Sequence, residues 1–303
     1  MTNYDFIVIG GGVSGLSAAM YATRLGLSTL TFAKMPGGLI TTTHLVENWP
    51  GIKQISGPDL AMSIYDHAKS VNAEIKNEQV LSVTKENELF KIQTSSGEYL
   101  AKAVLFSTGS EHRKLGVPGE KEFENKGVSY CALCDGAFYK NKQVAIVGGG
   151  DSAVKEALLL SQYATKVFII VRKDTLRCEP TNNEKLKNSG EKIEVLYNSE
   201  IAEILGSAKV EKIRLKDGRE MNMDGVFVAV GHLPQTDLAK NLGVELNSKG
   251  EIMVNRRAET NLPGVYAAGD CDDSEFKQAI TGSAEAVTAS YYAYHYCNKG
   301  GNY

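Results

Sequence analysis

The 303-residue sequence has no apolar run approaching the roughly 18 residues of a membrane span, and no basic or apolar leader ahead of its first strand at Phe6. It has no excess of positive charge either: 33 Lys and Arg stand against 36 Asp and Glu, a net charge of -3. That balance gives no electrostatic reason for nucleic acid or an anionic membrane as partner. The sequence has a single Cys-x-x-Cys, Cys131 and Cys134, and none of its five histidines lies close to it, so no zinc-type ligand set is expected. A chain of this length forms about two domains that bury their own cores, so its five cysteines need not be structural. The expected setting is cytoplasmic and reducing, where a Cys-x-x-Cys is redox-active or metal-binding in preference to a permanent bridge.

What is present begins with a dinucleotide fingerprint. The β-branched and aromatic run YDFIVIG is followed by GGGVSGLSAAMYATRLGL, whose apolar positions have helical spacing. Gly10, Gly12 and Gly15 fit G-x-G-x-x-G between that strand and helix, the pattern that lets a pyrophosphate approach a helix N-terminus. The next strand ends at Lys34, without the ribose-binding acid of a generic dinucleotide fold. The Gly-, Thr- and Pro-rich loop after it places Gly37, Gly38 and Asn48 as cofactor contacts. A helix near 58–71 and a strand meander lead to Thr108 and Gly109, a strand-to-turn edge where backbone can approach a ligand. The charged stretch KEFENKG reads as a linker, with a domain boundary near residue 113.

After the cysteine pair the pattern repeats. Gly148, Gly150 and Ala153 fit G-x-G-x-x-A, again between a strand and an amphipathic helix, and each copy later reaches a strand ending in glycine, LFSTG and FVAVG. Two related units in one chain point to dinucleotide binding far more strongly than one motif. The second copy ends its next strand in Arg172 and Lys173, with Arg177 close by, a basic cluster suited to a 2′-phosphate and hence to NADPH over NADH. Near the C-terminus a strand ends in Gly269-Asp270, and a helix opens whose N-terminal dipole favours the partly negative face of a reduced flavin.

The segments GGGVSG, GGLITTTHLVENWPG, CALCDG, GGGDSAVKEA, RKDTLR, AVGHLPQT and GVYAAGD followed by KQAITG, in that order, resemble the low-molecular-weight, bacterial-type thioredoxin reductases over essentially the whole chain. The resemblance implies an α/β fold of two Rossmann-like, three-layer ββα domains, the second inserted into the first. It assigns residues 1–112 and 241–303 to FAD and residues 113–240 to NADPH and the redox pair. It implies a homodimer, and electron flow from NADPH through FAD to Cys131 and Cys134, and then to thioredoxin, with rotation of the inserted domain between two states. By resemblance, Cys134 lies nearer the flavin, Cys131 attacks thioredoxin, and Asp135 is the general acid and base. FAD contacts extend to Lys277, Gln278 and Ala279, NADPH contacts to Asp151 and Ser152, and Lys126 and Phe138 face the partner protein.

The chain departs from that pattern at several positions. Leu39 stands where the family has Gln, Lys277 where it has Arg, Val171 and Lys173 where it has His and Arg, Cys178 where it has Ala, and Ala137 precedes Phe138 where paired aromatics are usual. The altered basic cluster keeps open a different electron donor, such as ferredoxin; a flavin-dependent dithiol oxidase and a redox sensor are the further alternatives. Cys178, Cys271 and Cys297 are single and read as structural, and His232 as structural or cofactor-lining.

Overall fold

The computed structural model describes residues 2–299, and the chain divides into two compact units: one formed by the chain up to Glu111 and from Pro234 on, the other by the insert His112–Leu233. In chain order, the first unit opens with β1 (Thr2–Ile9), α1 (Val13–Arg24), β2 (Thr29–Phe32), α2 (Gly57–Ser70) and β3 (Glu74–Lys76). The strands β4 (Val80–Glu86), β5 (Leu89–Thr94) and β6 (Glu98–Phe106) follow. Strand β7 (Ser110–His112) leads into the insert, which holds β8 (Val128–Ser129), α3 (Ala132–Asp135), β9 (Gln143–Val147), α4 (Asp151–Leu160), β10 (Lys166–Ile170), α5 (Pro180–Lys187) and β11 (Ile193–Leu196). It continues with β12 (Ile201–Gly206), β13 (Val210–Leu215), β14 (Glu220–Asn222) and β15 (Gly225–Val228). Strand β16 (His232–Pro234) carries the chain back for α6 (Asp237–Leu242), β17 (Val265–Ala267) and α7 (Ala279–Lys299).

In the first unit β3, β2, β1, β6 and β17 run parallel, and the first half of β6 also pairs antiparallel with β5 of the β4-β5-β6 meander. Strand β1 reads as continuous Phe6-Ile7-Val8-Ile9 because both its faces are covered. One face packs with the meander through Ile7, Ile9, Phe90 and Ile92. The other packs on helices, where Ala18 and Ala22 of α1 meet Ala286, Ala289 and Ala293 of α7, small residues that let two helix backbones approach closely.

The insert repeats the plan. Strands β11, β10, β9, β15 and β8 form a parallel sheet, with α4 packed on one side through Val154, Ala157 and Leu160 and the β12-β13-β14 strands on the other through Ile204, Ile213 and Leu215. Both units therefore have three layers, helices, parallel sheet and antiparallel strands. The repeat extends to one contact: a methyl group on Gly10 would lie 2.2 Å from the Ser107 carbonyl oxygen, and one on Gly148 2.2 Å from that of Ala229. With φ of +115° and +152°, both positions need glycine twice over.

The structure differs from the sequence expectation at the borders of the insert. The stretch that reads as a charged linker is folded into the insert: Phe123 is buried in its core, and buried Glu120 accepts hydrogen bonds from Leu115 N (2.7 Å), Gly116 N (2.6 Å) and the Tyr130 hydroxyl (2.8 Å). The return to the first unit falls at Leu233 and Pro234 instead of near 240, because α6 packs in the first unit, with buried Ala239 in the cluster that contains Val80 and Val83. Composition misled here because burial of one aromatic and one multiply bonded carboxylate decides the fold of a charged segment.

Candidate redox and dinucleotide-binding sites

Strand β8 sits at the edge of the insert's sheet, and two residues beyond it Cys131 caps α3. Cys131 and Cys134 form a disulfide. Cys131 N donates to Ser129 Oγ at 3.1 Å, and Cys134 N donates to Cys131 Sγ at 3.1 Å, so Cys131 sulfur occupies the position of a capping acceptor. Cys134 is the more exposed of the two, Cys131 half-buried. Asp135 completes α3; burial first, and then Asp135 and Asp224, raise the Tyr139 phenol above its usual range. Phe138, 73% exposed, and exposed Lys126 lie in the same unit.

In the first unit, chemistry-bearing residues from three distant segments converge. Gly12, the N-cap of α1, has no side-chain cap bond and pairs with Gly37, whose N donates to Gly11 O at 2.7 Å. Gly37 and Gly38 both have positive φ and open a 3-10 turn at Gly38–Thr42 that contains Leu39. Added methyl groups on Gly269 and Gly282 would each fall 2.5 Å from Ser14 Oγ, so the Gly269-Asp270 turn and the start of α7 close onto the first turn of α1. Ser110 Oγ donates to Asp270 Oδ2 at 3.1 Å, and Asn48 Nδ2 donates to Gln278 Oε1 at 2.9 Å. Gly15 packs against Gly10 O, Thr108 Oγ1 donates to Gln235 O, and Gln235 N donates to Gly109 O, so these three positions hold the turn from within. Lys277 is committed elsewhere, to Glu251 at 3.2 Å and to Asp272 O, and Ala279 is the first residue of α7.

The cradle fits a pyrophosphate. A methyl group on Gly12 would find nothing closer than 3.9 Å, the turn carries positive-φ glycines on both sides, and the first turn of α1 holds no acid and no side-chain cap. Free N–H groups facing open space are what an anion needs. The insert offers a similar open cap, since Gly150 caps α4 without a side-chain bond and a methyl group there would meet nothing within 4 Å, but the first turn of α4 differs in holding an acid, Asp151.

Around that second cradle, Arg177 N donates to Gly149 O at 2.7 Å, which ties the basic turn to the glycine turn. Arg172, Lys173 and Arg177 are exposed, and among the described residues none of the three has an ion-pair partner. Val171 is 2% exposed and packs in the core beside Gly149, so it belongs to the sheet and not to the cluster. Asp151 turns its carboxylate toward Lys155 Nζ (2.8 Å), Asn182 Nδ2 (2.8 Å) and Glu179 N (2.9 Å). Burial pushes it up, but those donors outweigh burial and hold it below the usual carboxylate range. Ser152 is exposed, and Ala153 packs under Gly148.

Burial disfavours the thiolate at each of the three single cysteines. Burial pushes Cys271 up to about 11 and Cys297 up to about 12, and Cys178 is raised as well. The His232 ring lies tilted against that of His112, with centroids 4.8 Å apart.

Two acidic features escape the motif reading. Asp272 is fully buried, and burial together with Glu285 pushes it up to about 7. Glu285 accepts from Gly269 N at 3.0 Å and Ser274 Oγ at 2.5 Å, which couples the pair to the Gly269-Asp270 turn. The second feature is Glu156 on α4. Its position, three residues after Ala153 and four before Leu160, lies on the apolar stripe of the helix, a signal of an inward carboxylate.

The family model described as pyridine nucleotide-disulphide oxidoreductase matches residues 4–286. The chain is 40% identical over 300 residues to the thioredoxin reductase of Bacillus subtilis (strain 168), covering 97% of this chain and 94% of that one. It is similar to the crystal structure of Lactococcus lactis thioredoxin reductase in its FR conformation, with a TM-score of 0.93, 35% identity and coverage of 97% and 99%. The T. acidophilum thioredoxin reductase structure gives a TM-score of 0.92 at 38% identity, covering 97% of this chain and 98% of that one.

Proposed function

The chain belongs to the pyridine nucleotide-disulphide oxidoreductase family, and from that premise we propose that it is an NADPH-dependent thioredoxin-disulfide reductase carrying FAD. One observation carries this reading: the Cys131–Cys134 disulfide lies in the same folded insert as an intact second fingerprint, while the first unit holds its own glycine cradle. An open glycine cradle at the N-terminus of α1 suits the pyrophosphate of a flavin dinucleotide, a group that a mononucleotide lacks. Gly10, Gly12, Gly15, Gly37, Gly38, Asn48, Asp270 and Gln278 are the residues to hold it. Three exposed cations beside Gly150 select a 2′-phosphate, hence NADPH, and buried Val171 takes nothing away from them. The intact second cradle speaks for a nicotinamide donor over ferredoxin.

When bound, the flavin supplies the two-electron relay between nicotinamide and disulfide. The chain's own residues handle the thiols. In the reduced pair, the Cys134 N–H directed at Cys131 Sγ favours a thiolate at Cys131, which makes it the attacking sulfur. Cys131 thiolate attacks one sulfur of the partner's disulfide and forms a mixed disulfide, expelling the other sulfur as a thiolate. Cys134, its proton taken by Asp135, then attacks Cys131 sulfur, re-forms the bond and releases the second partner sulfur. Exposed Phe138 and Lys126 offer an apolar and a cationic contact to the partner. The two crossings, at 111–112 and 233–234, are where the insert would turn between its task at the flavin and its task at the partner. A homodimer formed through the first unit and a cytoplasmic setting complete the proposal.

The test is NADPH oxidation coupled to thioredoxin. Wild-type protein is expected to turn over, and Cys131→Ser to lose turnover by at least about a thousandfold with flavin still bound. Unchanged turnover in Cys131→Ser would remove Cys131 from the mechanism.

A further inference from the structure

Strand β8 has two residues and α3 has four, so the backbone elements that flank the redox pair are too short to fix it by themselves. Between them stands Tyr130, directly before Cys131, and its hydroxyl donates to Glu120 Oε1 at 2.8 Å across ten residues of chain. Glu120 is 4% exposed and also accepts from Leu115 N at 2.7 Å and Gly116 N at 2.6 Å, so the acceptor is itself held by backbone. The Tyr130 side chain packs with Leu115 on the core of the insert. Lys114 Nζ lies 3.8 Å from its ring centroid, the His112 ring 6.1 Å away, and Lys114 bonds to Glu124 at 2.7 Å. Burial, and then the bond to Glu120, raise the phenol above its usual range, so it remains a donor. The bonds of Cys131 itself are local: its N donates to Ser129 Oγ at 3.1 Å, and its Sγ accepts from Cys134 N at 3.1 Å.

We propose that Tyr130 is a positioning residue for Cys131: its bond to Glu120 keeps Cys131 within closing reach of Cys134 after the S–S bond opens, and so favours re-formation of the disulfide. The inference rests on the pair being the enzyme's working dithiol. While the S–S bond exists it fixes the two sulfurs by its own length. Once two electrons and two protons have opened it to two thiols, Cys131 is placed by its neighbours in the chain. A tie that restrains Tyr130 restrains the adjacent Cys131, which raises the effective concentration of one sulfur at the other and lowers the entropy cost of closing the ring. A dithiol that closes more readily is a stronger reductant toward the partner's disulfide. Glu120 thereby connects the segment at Leu115 and Gly116, just inside the first crossing into the insert, to the residue that precedes the attacking sulfur.

The experiment compares wild type with Tyr130→Phe, which keeps the ring and its packing and removes the hydroxyl alone. Flavin-loaded protein is equilibrated anaerobically with mixtures of reduced and oxidised dithiothreitol, so that neither nicotinamide nor thioredoxin is needed. Two electrons and two protons pass from the reagent's dithiol to the protein, the S–S bond breaking in the pair as it forms in the reagent. Thiols are then alkylated and the reduced fraction is read by peptide mass. Tyr130→Phe is expected to be half reduced at a ratio of reduced to oxidised reagent about three- to tenfold below that of wild type. A ratio equal to that of wild type, or above it, would overturn the proposal, since a purely structural hydrogen bond stabilises both redox forms alike. Should the variant lose flavin or fold, hydrogen exchange on wild type decides. Protection of residues 130–132 in the dithiol form must stay within about tenfold of that in the disulfide form, and a larger loss overturns the proposal equally. A wild-type pair that fails to exchange with the reagent would instead remove the reading of Cys131 and Cys134 as the working dithiol, and the role of Tyr130 with it.

Discussion

Asn48 Nδ2 donates to Gln278 Oε1 at 2.9 Å, joining the loop after β2 to the start of α7 across 230 residues of chain. The bond ties the loop that contains Gly37 and Gly38 to the segment that opens α7, so either partner's loss should loosen the flavin. Asn48→Ala is expected to weaken flavin retention about two- to tenfold, the range of one hydrogen bond. Flavin fluorescence released on dilution measures it.

The two glycines of the second fingerprint should separate folding from binding. Gly148→Ala forces a methyl group to 2.2 Å from Ala229 O at φ of +152° and is expected to cost about 3 kcal/mol or more of stability. Gly150→Ala meets nothing within 4 Å and is expected to leave the melting temperature nearly unchanged while raising KM for NADPH. Thermal melts and steady-state kinetics on both variants check the contrast.

The basic turn should decide between the two nicotinamides. Arg172→Ala and Arg177→Ala are each expected to raise KM for NADPH about ten- to a hundredfold and to leave KM for NADH almost unchanged, because a charge-assisted contact to a 2′-phosphate is lost. Equal effects on both cofactors would place the cations away from the ribose.

Asp272 makes a prediction about pH. Its folded value is raised from 3.8 to about 7, first by burial and then by Glu285, so between those values the native state holds more protons than the unfolded chain. Stability from this group is therefore lost as pH rises from about 4 to about 7. Asp272→Asn stays neutral and is expected to melt at the wild-type temperature near pH 4 and above it at pH 8. Melts of the flavin-loaded protein across that range provide the check.

Much of this organisation was legible in the sequence. The fingerprints Gly10-x-Gly12 and Gly148-x-Gly150 predicted two strand-turn-helix units, and the structure adds why: each first glycine is jammed against a second strand end, at Ser107 and at Ala229. The spacing of Cys131 and Cys134 marked a redox-active or metal-binding pair, and the structure joins the two in a disulfide. Side-chain commitments were less legible. Lys277 and Asp151 look like cofactor contacts in the sequence, but one is bound to Glu251 and the other to Lys155, Asn182 and Glu179 N, partners 26 to 31 residues away or on the same helix face. Glu120, Glu156 and Asp272 are ordinary acids in composition. Only packing shows that their carboxyl groups are closed in, and burial of that kind depends on contacts no local pattern carries.

Electrons from NADPH are expected to reach Cys131 and Cys134 through the flavin. Anaerobic titration of the flavin-loaded protein with NADPH, followed by flavin absorbance, tests this route most directly. Bleaching is expected to be complete only after about two equivalents per chain, one for the flavin and one for the disulfide, and after about one equivalent in Cys131→Ser. An absorbance that stays unchanged at millimolar NADPH would contradict it.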